Sequence, residues 1–194
     1  KKMKKKILFV IPSLDLGGAE KSLVNLLNSI DYNLYEVDLL IFTQRGVFLN
    51  SIPKEVKIIN NSEAYQLFSK SVLVSVPVFL GKGKFLSAYH RLLFAFKNRY
   101  YKNNTISEQY TWKHTSMFLP KLKNEYDAAI GYLEKSTHYF VVDNVNAKKK
   151  IGWIHTDLEA LKLDFDFEKK YFDKLDYLVT VSEGLKERLL IKMP

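Results

Sequence analysis

Residues 7–11 form an unbroken apolar run. A strand of that kind has both faces covered, as in the middle of a parallel sheet. A loop follows over residues 12–18, and then apolar positions return at helical spacing. Leu23, Leu26, Leu27 and Ile30 share one face, while Lys21, Asn25 and Asn28 point away from it. This predicts a helix over residues 19–29. The opening is therefore a strand, a glycine turn and a helix. Residues 37–42 predict a second strand and residues 56–59 a short third one.

The middle of the chain follows a different pattern. Phe85, Tyr89, Leu92, Leu93, Phe96 and Tyr100 recur at helical spacing, with Lys84, Arg91, Asn98 and Lys102 on the other side. They predict an amphipathic helix whose apolar face packs on the sheet, with a membrane-surface helix and a nucleic-acid surface as the other readings. A further helix is expected over residues 107–119, stopping at Pro120. Strand and helix then alternate again. Strands are predicted over 128–132, 151–155 and 177–181, and helices over 136–144, 167–174 and 183–190. Such alternation argues an α/β fold with a doubly wound parallel sheet and helices on both faces. Neither an internal repeat nor a linker of low complexity is visible.

Composition narrows the class. The 194 residues suit one domain with a substantial core, and 47% hydrophobic with 14% aromatic residues is a globular composition. Without cysteine there is no disulfide, no thiolate metal site and no cysteine nucleophile. The net charge of +9 favours an anionic partner. Part of it comes from the middle, where no acidic residue lies between Glu63 and Glu108 but Lys70, Lys82, Lys84, Arg91, Lys97, Arg99 and Lys102 do. The basic start from Lys1 with its apolar run imitates a signal peptide. The run is short, however, and Asp15 follows it without a small-residue cleavage site, so a buried first strand is expected. No segment reaches the roughly 20 apolar residues of a membrane span. The nearest, residues 72–80, contains Pro77.

The candidate chemistry lies where predicted strands end. Gly17 and Gly18 let backbone N–H groups approach an anion at a positive helix terminus; a simple turn is the plainer reading. His155 ends a buried strand and points into the same crevice, either to donate a hydrogen bond to a sugar hydroxyl or phosphate, or as a structural cap. Glu134, Lys135 and Ser136 follow one strand, and Ser182 and Glu183 another; Ser136 and Ser182 also suit helix caps. The dinucleotide pattern GxGxxG is absent, and the second strand leads into Thr43, Gln44 and Arg45 with no acid for a ribose. That disfavours an NAD enzyme. The Walker pattern and the GxSxG elbow are missing too. His90, His114 and His138 have no partner at metal-ligand spacing, so no metal is expected.

Three segments together resemble the family 4 retaining glycosyltransferases of the GT-B type. They are KILFVIPSLDLGGAEKSL at residues 6–23, KIGWIHTD at 150–157 and DYLVTVSEGLKER at 176–188. They occur in the family's order and span nearly the whole chain, while residues 62–124 do not match closely. The resemblance implies a Rossmann-like, acceptor-binding N-terminal domain. It implies transfer of a sugar from a nucleotide-sugar to a glycan or lipid-linked acceptor, with retention and without a metal cofactor. Gly17 and Gly18 would lie near the donor pyrophosphate. His155 would lie near the transferred sugar, and Glu20, Glu134, Lys135, Ser136, Asp157, Ser182 and Glu183 would border the crevice.

The family's nucleotide grip, a pair of glutamates, lies in a second domain. Residues 1–194 are therefore expected to be a single acceptor domain, a truncated form inactive alone, of a cytoplasmic enzyme of cell-surface polysaccharide synthesis. An anionic membrane surface is an expected partner and nucleic acid is not. The alternative is a non-catalytic sugar- or anion-binding module, or the acceptor subunit of a split transferase.

Overall fold

The computed structural model describes residues 3–192; Lys1 and Lys2 of the basic start, and the last two residues, lie outside them. Six parallel strands form the main sheet: β1 (Lys5–Ile11), β2 (Tyr35–Ile41), β3 (Lys57–Ile59), β5 (Ala128–Gly131), β7 (Lys150–Ile154) and β8 (Tyr177–Thr180). Their order is β3-β2-β1-β5-β7-β8, so the chain winds outward from β1 in one direction and then resumes on its other side. This is a Rossmann-like order, and its switch point lies between β1 and β5. Two strands that the hydrophobic pattern does not reveal, β4 (Leu122–Tyr126) and β6 (Val145–Ala147), pair in a small separate sheet.

Alternate residues of the apolar runs feed two cores. Leu8, Val10 and Leu40 pack on one face beneath α5 (Asn104–Ser116), α6 (Ser136–Asn144) and α7 (Phe165–Phe172). Phe9, Ile11, Leu39 and Ile41 pack on the other face beneath α1 (Gly18–Ser29), through Leu23, Val24 and Leu27. Both faces of the central strands are thus dry, as their continuous apolar sequence requires. The last helix, α8 (Glu183–Lys192), buries Leu185 against Ile154, Leu158 and Phe172.

Register explains a glycine pair. Gly131 on β5 lies opposite Gly152 on β7. A Cβ on Gly131 would stand 2.8 Å from His138 Cδ2, and one on Gly152 3.1 Å from His138 Cε1. The two glycines form the slot that seats this fully buried imidazole, whose Nε2 lies 3.2 Å from the Trp153 carbonyl. Burial pulls the His138 pKa down to about 4, so the ring is neutral.

Between β3 and β4 the chain makes a helical insertion: α2 (Glu63–Phe68), α3 (Val72–Gly81), α4 (Phe85–Tyr100) and α5. The sequence pattern does not reveal α2, and α3 coincides with the apolar run over residues 72–80, for which no helix is predicted. The insertion has its own aromatic core of Phe68, Phe79, Ala88 and Phe118. Burying each of those phenylalanines contributes about 1.5–3 kcal/mol.

One expectation is reversed here. The apolar stripe of α4 does not pack on the sheet. Phe85, Phe96 and Tyr100 are 69%, 69% and 71% exposed, and Tyr89 and Leu92 are also exposed. The opposite side is buried instead, and Arg91, expected to face outward, is only 7% exposed. Its Nη2 donates to the Lys70 carbonyl at 2.9 Å, and its guanidinium lies 5.1 Å from the Phe68 ring centre and 5.5 Å from that of Phe94. A cation held between aromatic faces replaces part of its lost hydration. Among the described residues no helix is long and apolar enough to cross a membrane.

Candidate functional site

The fold puts the candidate crevice beyond the carboxyl ends of β1, β5 and β7. In an open parallel sheet, the loops leaving the strands beside the switch point diverge and leave room for a ligand there. The loop after β1 delivers Gly17 and Gly18 to the start of α1. Gly17 has extended backbone, and a Cβ added there would meet only the mobile end of Glu20, at 2.1 Å from Oε2. The Glu20 carboxylate thus folds back over the first turn of its own helix, where the dipole favours negative charge. Nothing lies within 4 Å of a Cβ built on Gly18, so the space above that backbone is open.

Tyr132, just past β5, joins the two halves of the crevice. Its N–H donates to the Val10 carbonyl at 2.9 Å, and its hydroxyl lies 3.0 Å from Ser22 Oγ on α1. The His155 ring rests 5.0 Å from the Tyr132 ring, centre to centre, and stacks at 6.0 Å on Trp153. The His155 backbone N–H donates to Glu134 Oε2 at 3.1 Å, which ties the tip of β7 to the loop after β5. His155 Nε2 is buried and has no hydrogen-bond partner. Burial lowers the His155 pKa from its ordinary value, against the opposing pull of Glu134, Glu20 and the Tyr132 backbone. A neutral imidazole at pH 7 follows, able to donate one N–H and accept at the other nitrogen.

Glu134 and Glu20 are thus both close enough to His155 to act on its charge, and Glu20 in turn lies against Gly17. The other expected residues do not join them. Lys135 Nζ pairs with Glu108 Oε2 at 2.7 Å, and the Ser136 N–H donates to Glu108 Oε1 at 3.3 Å. Lys135, at φ 69°, holds a backbone conformation rare for a residue with a Cβ. Glu108 thereby places a carboxylate on the N-terminus of α6, and the Ser136 side chain is not the cap. Asp157 accepts from the Glu159 N–H at 3.0 Å and pairs with Arg188 Nε on α8 at 3.3 Å, bracing that helix. Ser182 Oγ accepts from the Leu185 N–H at 3.3 Å, the capping role, and the exposed Glu183 pairs with Lys186 at 2.7 Å.

A concavity missed by sequence reading opens against the helical insertion. A cleft of about 240 Å³ lies between α2, α4, α5, the end of β2 and the start of α6. Phe42, Tyr65, Phe94 and Trp112 give it aromatic walls, and Asn98, Asn104, Glu108 and Ser136 give it polar groups. Glu108 is the first acid after the acid-free stretch, and that position was its one signal in the sequence. His90 and His114, which look scattered along the chain, meet across α4 and α5 with their Nδ1 atoms 2.9 Å apart. Among the described residues no group of three or more His, Cys, Asp or Glu side chains could hold a metal ion.

No protein-family model matches the chain, and no curated protein gives a significant match to it.

Proposed function

We propose that the chain is the acceptor-binding half of a retaining GT-B glycosyltransferase of family 4, acting with a nucleotide-sugar-binding domain outside these 194 residues. The observation that carries the reading is the unpartnered His155 Nε2 just past the carboxyl end of a parallel strand, within electrostatic reach of Glu20 in the first turn of α1.

In the reaction, the bond between the anomeric carbon and the nucleotide's phosphate oxygen breaks, a bond to an acceptor hydroxyl forms on the same face, and that hydroxyl's proton passes to the departing phosphate. Negative charge grows on the departing pyrophosphate. The N-terminus of α1, with unblocked backbone at Gly18, is suited to receive that charge, with Glu20 moving aside. His155 lies one residue past β7 and is held by Glu134 through its backbone. It would hydrogen-bond the transferred sugar and fix its orientation, without acting as a base. Glu134 and Glu20, as carboxylates, suit sugar hydroxyls. The aromatic and amide-lined cleft beside Glu108 has the mixed character that a glycan or lipid-linked acceptor needs.

The test is an assay of the native protein with a panel of labelled nucleotide-sugars and a membrane extract as acceptor. Transfer of one sugar, with the anomeric configuration kept, is the expected result. Absence of transfer from every donor, by a folded native protein, would refute the reading.

A further inference from the structure

The outer surface of the helical insertion is an apolar face with nothing packed on it. On α4 the residues Phe85, Tyr89, Leu92, Phe96 and Tyr100 follow one another at three- or four-residue steps, so they align along one side of the helix. The stripe runs the length of a 16-residue helix, about 24 Å. Its neighbour α3 buries only Ser75 and Phe79 and also turns apolar side chains outward, Leu73 being 87% exposed. Exposed cations border the surface. Lys82 and Lys84 lie in the turn joining the two helices, and Arg99 and Lys102 lie at the far end of α4. No ion pair among the described residues involves any of these four. No acid occurs from residue 64 to residue 107.

We propose that this face docks on an anionic lipid bilayer, lying in the plane of the interface. A convex stripe of phenylalanine, tyrosine and leucine flanked at both ends by unpaired cations matches what such a surface offers: acyl chains for the apolar groups and phosphate headgroups for the lysines. Charge complementarity decides the occupant. A second copy of the same face would set these cations against one another. The seated helix would bring Phe94 and Asn98, on the inner side of α4, within one helix diameter of the lipid, about 10 Å. The aromatic cleft those two residues line would then lie beside the membrane surface. The docking stands on the exposed face alone and holds or fails apart from the proposed sugar transfer.

Co-sedimentation of the purified chain with two kinds of vesicle tests it, one of phosphatidylcholine alone and one also containing phosphatidylglycerol. The chain is expected to pellet with the anionic vesicles and to be released by salt. The double variants Phe85→Ser with Phe96→Ser, and Lys82→Gln with Lys84→Gln, should each weaken that binding about tenfold or more. Both pairs are exposed, so circular dichroism and Tm should match the parent. Recovery in the supernatant with both vesicles overturns the proposal, as does equal binding to neutral vesicles or undiminished binding by the phenylalanine variant. A dimer that the phenylalanine variant dissociates, in a chain that ignores vesicles, also overturns it and assigns the face to a second copy.

Discussion

Glu168 is fully buried on α7, and the company it keeps fixes its chemistry. Gln109 Nε2 donates to its Oε1 at 2.8 Å and the Tyr139 hydroxyl donates to the same oxygen, while Oε2 has no partner. Burial first, and Glu108 nearby, raise its pKa to about 7 against the opposing bonds from Tyr139 and Gln109. The folded chain therefore holds a proton that the unfolded chain has released above its ordinary 4.5. The stability this contributes is complete below that ordinary value and is lost as pH rises through about 7. His114, drawn down to about 4 chiefly by burial, acts in the opposite sense, its contribution falling as pH drops from 6.5 toward 4. The difference between Glu168→Gln and the parent isolates the glutamate. The variant should gain on the parent in thermal unfolding as pH goes from about 5 to about 8, by on the order of 2 kcal/mol. A constant difference across that range would show that Glu168 ionises normally.

At the level of elements, α5 joins the insertion to the sheet. Gln109 accepts from the Asp164 N–H at 3.0 Å and donates to the Asp164 carbonyl at 2.9 Å, at the start of α7. Glu108 holds Lys135 and the first turn of α6. Glu108→Ala removes the ion pair and the negative charge at the helix N-terminus together. It should cost about 1–2 kcal/mol, read as a lower Tm; an unchanged Tm would mean that water serves α6 equally well. The α4 helix itself was legible from its apolar period, but its orientation was not. A period gives the stripe and not the side that faces inward, and here Phe68, Phe79 and Phe118 take the Ala88 and Arg91 side. The strand at Leu122–Tyr126 was illegible for a similar reason. It buries only Tyr126, so it carries no apolar run to read.

For the whole molecule, the sheet was readable because strands covered on both faces must be apolar at consecutive positions. Residues 7–11 and the runs leading to Gly131 and Ile154 carry that signal, and chain alternation then implies parallel pairing. The crevice was partly readable. Gly17 and Gly18 close the loop that leaves β1 and His155 follows β7, so their location at one end of the sheet follows from the fold. That Glu134 accepts from the His155 backbone, and that Lys135 and Ser136 belong to Glu108, depends on side chains that meet only in three dimensions. The joining of the two halves through Tyr132 and Ser22, 110 positions apart in sequence, lies beyond any local pattern. Sugar transfer is proposed to take place in the crevice at the switch point. The rate of transfer by the native protein carrying His155→Gln tests it most directly. A fall of about a hundredfold or more, with Tm close to the parent's, is the predicted result. A transfer rate equal to the parent's would contradict the account and remove His155 from the reaction.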